Sequence, residues 1–214
     1  MKEVDISVIM PAYNAATYIA QSIDAVISQN FNGSFELLVA DDVSSDTTAD
    51  IISKYQTMYP DIVQLIENGE NLGCSENSRK LCTMARGKYL AFCDSDDVWE
   101  DKLKLQKQFD FLENNPQFGM VCSSAKVINS HGGVASDINS CELHFDIIIK
   151  QHTDVYNSSI MLRKSLYLRM MNDCQWHVMN KCFFDSVWAW WFTFYSKVWM
   201  MGEALISYRS LVER

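Results

Sequence analysis

Tyr89-Leu90-Ala91-Phe92-Cys93-Asp94-Ser95-Asp96-Asp97 is a short apolar run that drives into three carboxylates and stops. With Gly87 before it and acid after it, such a run reads as a buried strand of a parallel sheet. In open α/β sheets, ligands bind in the crevice beyond the carboxyl ends of the strands. The pattern therefore puts Asp94, Asp96 and Asp97 where a ligand would sit. Carboxylates this close repel one another unless a cation neutralises them. Hard divalent cations take oxygen ligands and are often shared with substrate phosphates. The stretch thus predicts a metal–diphosphate site. A competing reading has Asp97 or Asp101 cap the next helix, but a cap needs one acid, not three.

Upstream, the pattern alternates. A strand at 5–10 ends at Pro11. A helix over 17–29 carries Ile19, Ile23, Val26 and Ile27 at helical spacing. A strand at 35–40 ends in Asp41-Asp42, and Ser44, Ser45 and Asp46 offer N-caps for a helix over 47–58. A strand at 62–66, turn residues at 68–71 and a helix over 75–85 lead into the acidic strand. This order predicts an α/β fold: a mostly parallel, Rossmann-like sheet with helices on both faces. Parallel strands share a direction, so both acidic strand ends open on one edge with the 11–14 segment. Together they describe a pocket.

Downstream, an amphipathic helix is expected over 102–114, a strand at 120–128, an irregular loop over 129–142 and a short strand at 158–162. An almost wholly apolar helix starts at Asp185 and carries Trp188, Trp190, Trp191, Phe192, Phe194 and Tyr195, and a last strand is expected at 204–208. Core packing explains that helix, and a membrane-docking face is the other reading. Its apolar stretch is shorter than the ~20 residues that span a bilayer.

The 214 residues read as one domain, 1–214, able to bury a sizeable core. The net charge of -9 argues against a nucleic-acid partner, because phosphate backbones select basic surfaces. Met1-Lys2-Glu3 runs straight into a strand rather than a signal peptide. Seven cysteines show no Cys-x-x-Cys pair; Cys93, Cys122 and Cys182 lie in apolar runs, as expected of reduced core residues in the cytoplasm. His131, His144, His152 and His177 are not spaced for zinc. No Gly-x-Gly-x-x-Gly follows the first strand and no Gly-Lys-Ser/Thr occurs, against dinucleotide oxidoreductases and phosphate-loop enzymes.

The 6–14 segment, Asp41-Asp42, Asn71-Leu72-Gly73, Gly87-Lys88-Tyr89 and Asp94-Ser95-Asp96-Asp97, in that order, resemble the family 2 glycosyltransferases of the A-type fold. The 185–209 segment resembles that family's acceptor-side helix and closing Tyr-Arg, here Tyr208-Arg209. The resemblance implies a nucleotide-sugar-binding half (1–100) and an acceptor-binding half (101–214). It implies inverting transfer of a sugar from a nucleotide-diphosphate donor, UDP-linked by family default, to a hydroxyl on a glycan or lipid-linked acceptor. The setting would be bacterial cell-surface polysaccharide synthesis.

Carried onto this chain, Pro11, Ala12 and Tyr13 would line the base and ribose. Asp42 would bind the base while Asp41 supports the strand end. Asp94, with Ser95, would face the ribose side of the donor. Arg79 would reach a phosphate, a solvated helix position being its other reading. Asp96 would bind Mn2+ or Mg2+, and Asp185 would be the general base. The chain departs from the pattern at Val43, where the family often has Gly, and at Phe184 before the base. Family members often continue past the closing Tyr-Arg, so a C-terminal part is expected to be either missing here or absent by design. A monomer or weak homodimer, cytoplasmic and peripheral on the inner membrane face, is the expected state. The rival readings are a haloacid dehalogenase-type phosphohydrolase, with Asp94 as nucleophile and Asp96 as acid–base, and a degenerate nucleotide-sugar-binding protein.

Overall fold

The computed structural model describes residues 3–129, 132–135, 140–144, 155–172 and 191–210. The first half follows the alternation read from the sequence: β1 (Ile6–Ala12), α1 (Ile19–Ile27), β2 (Phe35–Asp41), α2 (Thr48–Met58), β3 (Val63–Glu67), α3 (Cys74–Met84) and β4 (Tyr89–Phe92). These strands pair in parallel, β2 with β3, β1 with β2 and β1 with β4.

The second half adds β5 (Val98–Trp99), α4 (Lys104–Asn114), β6 (Phe118–Asn129), β7 (Gly132–Ala135), β8 (Cys141–Leu143), a 3-10 turn (Asn157–Ser159), β9 (Met161–Arg163), α5 (Lys164–Met171) and β10 (Lys197–Arg209). The strand order is β3-β2-β1-β4-β9-β6-β10-β5, with β7 beside β6 and β8 beside β10. β9 runs antiparallel to both β4 and β6. β6 and β10 therefore run the same way as β1 and β4, and pair in parallel with each other. The sheet is parallel in its first half and mixed in its second half.

Several of these elements differ from the sequence reading. The 129–142 stretch holds β7 and β8, and β10 reaches 13 residues. β5 has two residues and α5 eight, too short to show a period. Trp191 and Phe192 are helical, while Asp185, Trp188, Trp190, Cys182, His131, His152 and His177 lie outside the described residues.

Strand alternation gives the sheet two apolar faces. Val8, Met10, Leu37 and Val39 pack with α1, α2 and α4 through Ile23, Ile52 and Leu105. Ile9, Leu38, Leu90 and Phe92 pack on the other face with α3 and α5 through Leu81, Tyr167 and Met170. Strands buried on both faces lack polar alternation, which explains the continuous apolar runs in the sequence. Cys93 and Cys122 are buried free thiols in this core.

Gly87 shows why the turn into β4 takes no side chain: a Cβ there would meet the Ser7 nitrogen at 2.4 Å. The same corner is tied by Glu36, which is buried and accepts the Ser7 hydroxyl at 2.6 Å and the Arg86 amide at 2.8 Å. These contacts lie at the edge opposite the acidic strand ends and fix the strands that aim them.

Candidate functional site

β1 does not stop at Pro11; it pairs with β2 through Ala12, opposite Asp41. On its other side the ladder to β4 ends at Ile9 opposite Phe92, where the Cys93 amide reaches the Ile9 carbonyl at 3.0 Å. Two residues on, Pro11 faces the same side and has no N–H to continue that ladder. β1 and β4 therefore part at Pro11, and the crevice opens there.

The two acids at the end of β2 are both buried and have different surroundings. Asp42 Oδ1 accepts the Asn68 side-chain amide at 2.7 Å and the Leu72 N–H at 2.9 Å, and its Oδ2 accepts the Gly73 N–H at 2.8 Å. The Asn71 side chain donates to the Asp42 carbonyl at 2.9 Å. Asp42 thus latches the loop before α3, and Gly73 supplies the left-handed φ of 78° that the loop needs. Asp41 Oδ2 accepts the Ser44 N–H at 3.0 Å, whereas its buried Oδ1 has no hydrogen-bond partner among the described residues. A buried acceptor left unmade costs free energy, which marks it as a place for a ligand's N–H.

The loop after β1 is laced to the loop after β2. Asn14, at φ 49°, accepts the Ser45 N–H on Oδ1 at 2.8 Å and donates its own N–H to the Ser44 hydroxyl at 2.9 Å. Tyr13 projects from this rim, 55% exposed.

The acidic turn after β4 is braced from the second half of the chain. Asp97, only 1% exposed, accepts the Ser158 hydroxyl on Oδ2 at 2.6 Å and the Arg209 N–H on Oδ1 at 2.8 Å. Ser158 also accepts the Asp94 N–H at 2.9 Å, and Asn157 donates to Asp94 Oδ1 at 2.7 Å. The Ser22 hydroxyl on α1 donates to the Ser95 carbonyl at 3.0 Å.

Of the three acids, Asp97 is therefore turned inward as a brace. Asp94 and Asp96 are the two half-buried ones at the crevice. Neither Asp97 nor Asp101 is the N-cap of α4, which is Leu103; Asp101 Oδ1 accepts the Leu103 N–H at 2.7 Å just ahead of the helix. Burial pushes the Asp96 carboxyl above the usual aspartate value, against a pull downward from Arg209. The Arg209 Nε donates to the Asp96 carbonyl at 2.9 Å, and its guanidinium lies 4.3 Å from the centre of the Tyr18 ring.

Beneath this turn sits Lys104, fully buried. Its ammonium donates to Gln108 at 2.8 Å and lies 4.0 Å from the centre of the Trp99 ring. Trp99 and Gln108 in turn donate to the carbonyls of Ser158 and Ser159, at 2.9 and 2.7 Å. Burial brings the Lys104 pKa down to about 7. Lys104 did not stand out in the sequence, and no spacing signal marks it.

Among the described residues, no three His, Cys, Asp or Glu side chains converge as a metal cage. The donor set fits a different arrangement: a hard cation held by one or two carboxylates and completed by substrate phosphate oxygens. Asp96 is suited to it, because a partly desolvated carboxylate gains from a cation beside it. Arg79 is exposed and pairs with Glu76 at 2.5 Å along the surface of α3, the solvated position. His144 is exposed and lies 3.7 Å from Glu142.

This geometry is that of an A-type glycosyltransferase, and the comparisons agree. The model of the glycosyl transferase family 2 matches residues 7–171, and the chain belongs to that family. It is 31% identical over 146 residues to the Escherichia coli UDP-Glc:alpha-D-GlcNAc-diphosphoundecaprenol beta-1,3-glucosyltransferase WfgD, covering 68% of this chain and 55% of that one. The crystal structure of Staphylococcus aureus TarS 1–349 with UDP-GlcNAc shares the fold at TM-score 0.74 and 20% identity, over 99% of this chain and 60% of that one. The Pyrobaculum calidifontis mannosyltransferase PcManGT, in complex with GDP-Man and Mn2+, shares it at TM-score 0.60 and 19% identity, over 79% of this chain and 47% of that one. The chain spans about half the length of the curated relatives it matches. The family does not favour the phosphohydrolase reading. Among the described residues, no helix is long and apolar enough to cross a membrane.

Proposed function

We propose that the chain is the catalytic domain of a metal-dependent, inverting sugar transferase. It takes a nucleotide-diphosphate sugar, UDP-linked, and delivers the sugar to a hydroxyl of a glycan or lipid-linked acceptor in cell-surface polysaccharide synthesis. The carrying observation is that one sheet edge holds Asp41, whose buried Oδ1 has no hydrogen-bond partner among the described residues, and Asp96, whose carboxyl is pushed up by burial. One suits a base N–H and the other suits a cation at the diphosphate.

In this reading Asp41 reads the base, beside Pro11, Ala12 and Tyr13. Asp42, with its carboxylate on the 68–73 loop, shapes the pocket without reading the base. Asp94 and Ser95 hold the ribose side. Asp96 holds Mn2+ or Mg2+, which when bound supplies Lewis acidity for the leaving diphosphate. Arg79 stays with Glu76 and leaves the phosphates to other groups. Asp185 takes the proton of the acceptor hydroxyl as it attacks, and no covalent nucleophile is required.

Lipid-linked acceptors place the protein on the inner membrane face, as a monomer or weak homodimer. The lipid-linked acceptor is supported by the Escherichia coli relative, whose acceptor is a diphosphoundecaprenol. The experiment is a thermal-shift panel of nucleotide sugars with and without MnCl2. A ligand that binds only the folded chain raises its melting temperature by mass action. The expected result is a manganese-dependent rise for at least one nucleotide sugar. No rise with any of them, with or without manganese, sinks the donor reading.

A further inference from the structure

Val43 follows the two acids of β2 at φ 62°, in the left-handed region. For a β-branched residue this is a genuine outlier, and a glycine would meet the same backbone without steric cost. The conformation is imposed from both sides. The Asp42 carboxylate and carbonyl are held by the 68–73 loop, and the Ser44 N–H is held on Asp41. The isopropyl group is not there for the core: Val43 is 48% exposed and belongs to neither apolar cluster. Strain that persists without a packing reason points to a use at a functional rim.

The neighbours on that rim suggest the use. Ala12 stands opposite Asp41, and the Asp42 N–H reaches the Ala12 carbonyl at 2.9 Å, so Tyr13 runs alongside residues 42 and 43. Tyr13 and Val43 are thus two exposed apolar side chains on adjacent strand ends, both following the Ala12–Asp41 pair, and the buried Asp41 Oδ1 has no partner among the described residues. A planar base with one ring N–H has the complementary chemistry: two apolar faces and a donor edge.

We propose that Val43 is a specificity-determining residue, forming with Tyr13 the apolar wall of the donor-base subsite. The inference rests on the proposed donor reading and adds to it a residue that a glycine would not replace in function. The left-handed turn holds the isopropyl group at the rim before ligand arrives, so no ordering is needed on binding.

The test is calorimetric binding of UDP, GDP and inorganic pyrophosphate, each with Mn2+, to the full chain and to Val43→Asn and Val43→Ile. Asn tolerates the left-handed conformation and removes the apolar wall; Ile keeps the wall and the strain. Melting curves confirm that both variants fold. For whichever nucleotide the wild type binds, Val43→Asn is expected to weaken affinity about five-fold, the effect of uncovering roughly half a valine side chain. Val43→Ile stays within about two-fold on the same scale, and pyrophosphate affinity does not change in either variant. Wild-type nucleotide affinity in Val43→Asn overturns the Val43 assignment and leaves the donor reading standing. An equal loss for pyrophosphate also overturns it, because the residue would then act on the loop and not on the base. A wild type that binds neither nucleotide overturns the subsite and the donor reading together.

Discussion

The hydroxyl of Ser158 donates to Asp97 Oδ2 at 2.6 Å while accepting the Asp94 N–H at 2.9 Å, so one buried side chain ties two of the three clustered acids to a turn 61 residues downstream. Asp97 closes the brace by accepting the Arg209 N–H at 2.8 Å. Both Asp97 oxygens are acceptors facing donors. Asp97→Asn puts an amide N–H where one of those donors points. The expected cost is about 1–3 kcal/mol of stability, the range for a buried hydrogen bond left unmade. Urea denaturation checks it. An unchanged midpoint and slope would show that the brace is not needed.

Asp96 is expected to behave in the opposite way. Its carboxyl is desolvated and its main contact, with Arg209, uses the backbone carbonyl and not the side chain. Removing a partly buried charge does not weaken the core, so Asp96→Ala should melt at or slightly above the wild-type temperature. The same variant should lose manganese-dependent nucleotide binding. Calorimetry with UDP or GDP and Mn2+ reads this directly, and unaltered metal-dependent affinity would remove Asp96 from the site.

The contrast between these two acids marks the limit of what the sequence carried. Strands β1, β2 and β4 were legible because strands buried on both faces are continuous apolar runs. The pocket's edge was legible because parallel strands bring their acidic ends together. Adjacent acids, however, look alike in sequence. What sets Asp42 apart from Asp41, and Asp97 from Asp96, is partners that lie 26 or more residues away, such as Asn68 on Asp42 and Ser158 on Asp97. Val43 was visible as a departure from a family pattern, but its φ of 62° was not. The second half read poorly because β5, β8 and β9 have three residues or fewer, too few to show a period.

Asp185 is tested by chemistry, since it lies outside the described residues. As general base it faces the acceptor, so Asp185→Asn should keep nucleotide and manganese binding. Asn keeps the shape and cannot take the proton, and turnover should fall by a factor of ~10² to 10⁴. If Asp185 only favours a helix N-terminus, Asn caps equally well and the rate stays near wild type. Single-turnover transfer at saturating donor separates the two. A rate within a few-fold of wild type would remove the base assignment.

Lys104 predicts a pH dependence of stability. Burial holds its folded pKa at about 7, against 10.5 for the free side chain. Between those values the unfolded chain binds a proton that the folded chain does not, so stability rises with pH across that window. Below about pH 7 both states are charged, and the full penalty of the buried ammonium is present. The nearby thiols of Cys93 and Cys122 are pushed well above their usual value by burial and stay neutral here. Lys104→Met removes the titration and keeps the length of the side chain. It also deprives Gln108 of a donor, but that loss does not vary with pH. The stability of Lys104→Met relative to wild type should therefore fall as pH rises from 7 towards 10.5. The limiting slope is about 1.4 kcal/mol per pH unit for one proton. Urea unfolding of both proteins at half-unit pH steps measures the difference, and groups shared by the two cancel. Parallel curves for the two proteins would mean that Lys104 carries its proton in the fold throughout, held by Gln108 and the face of Trp99.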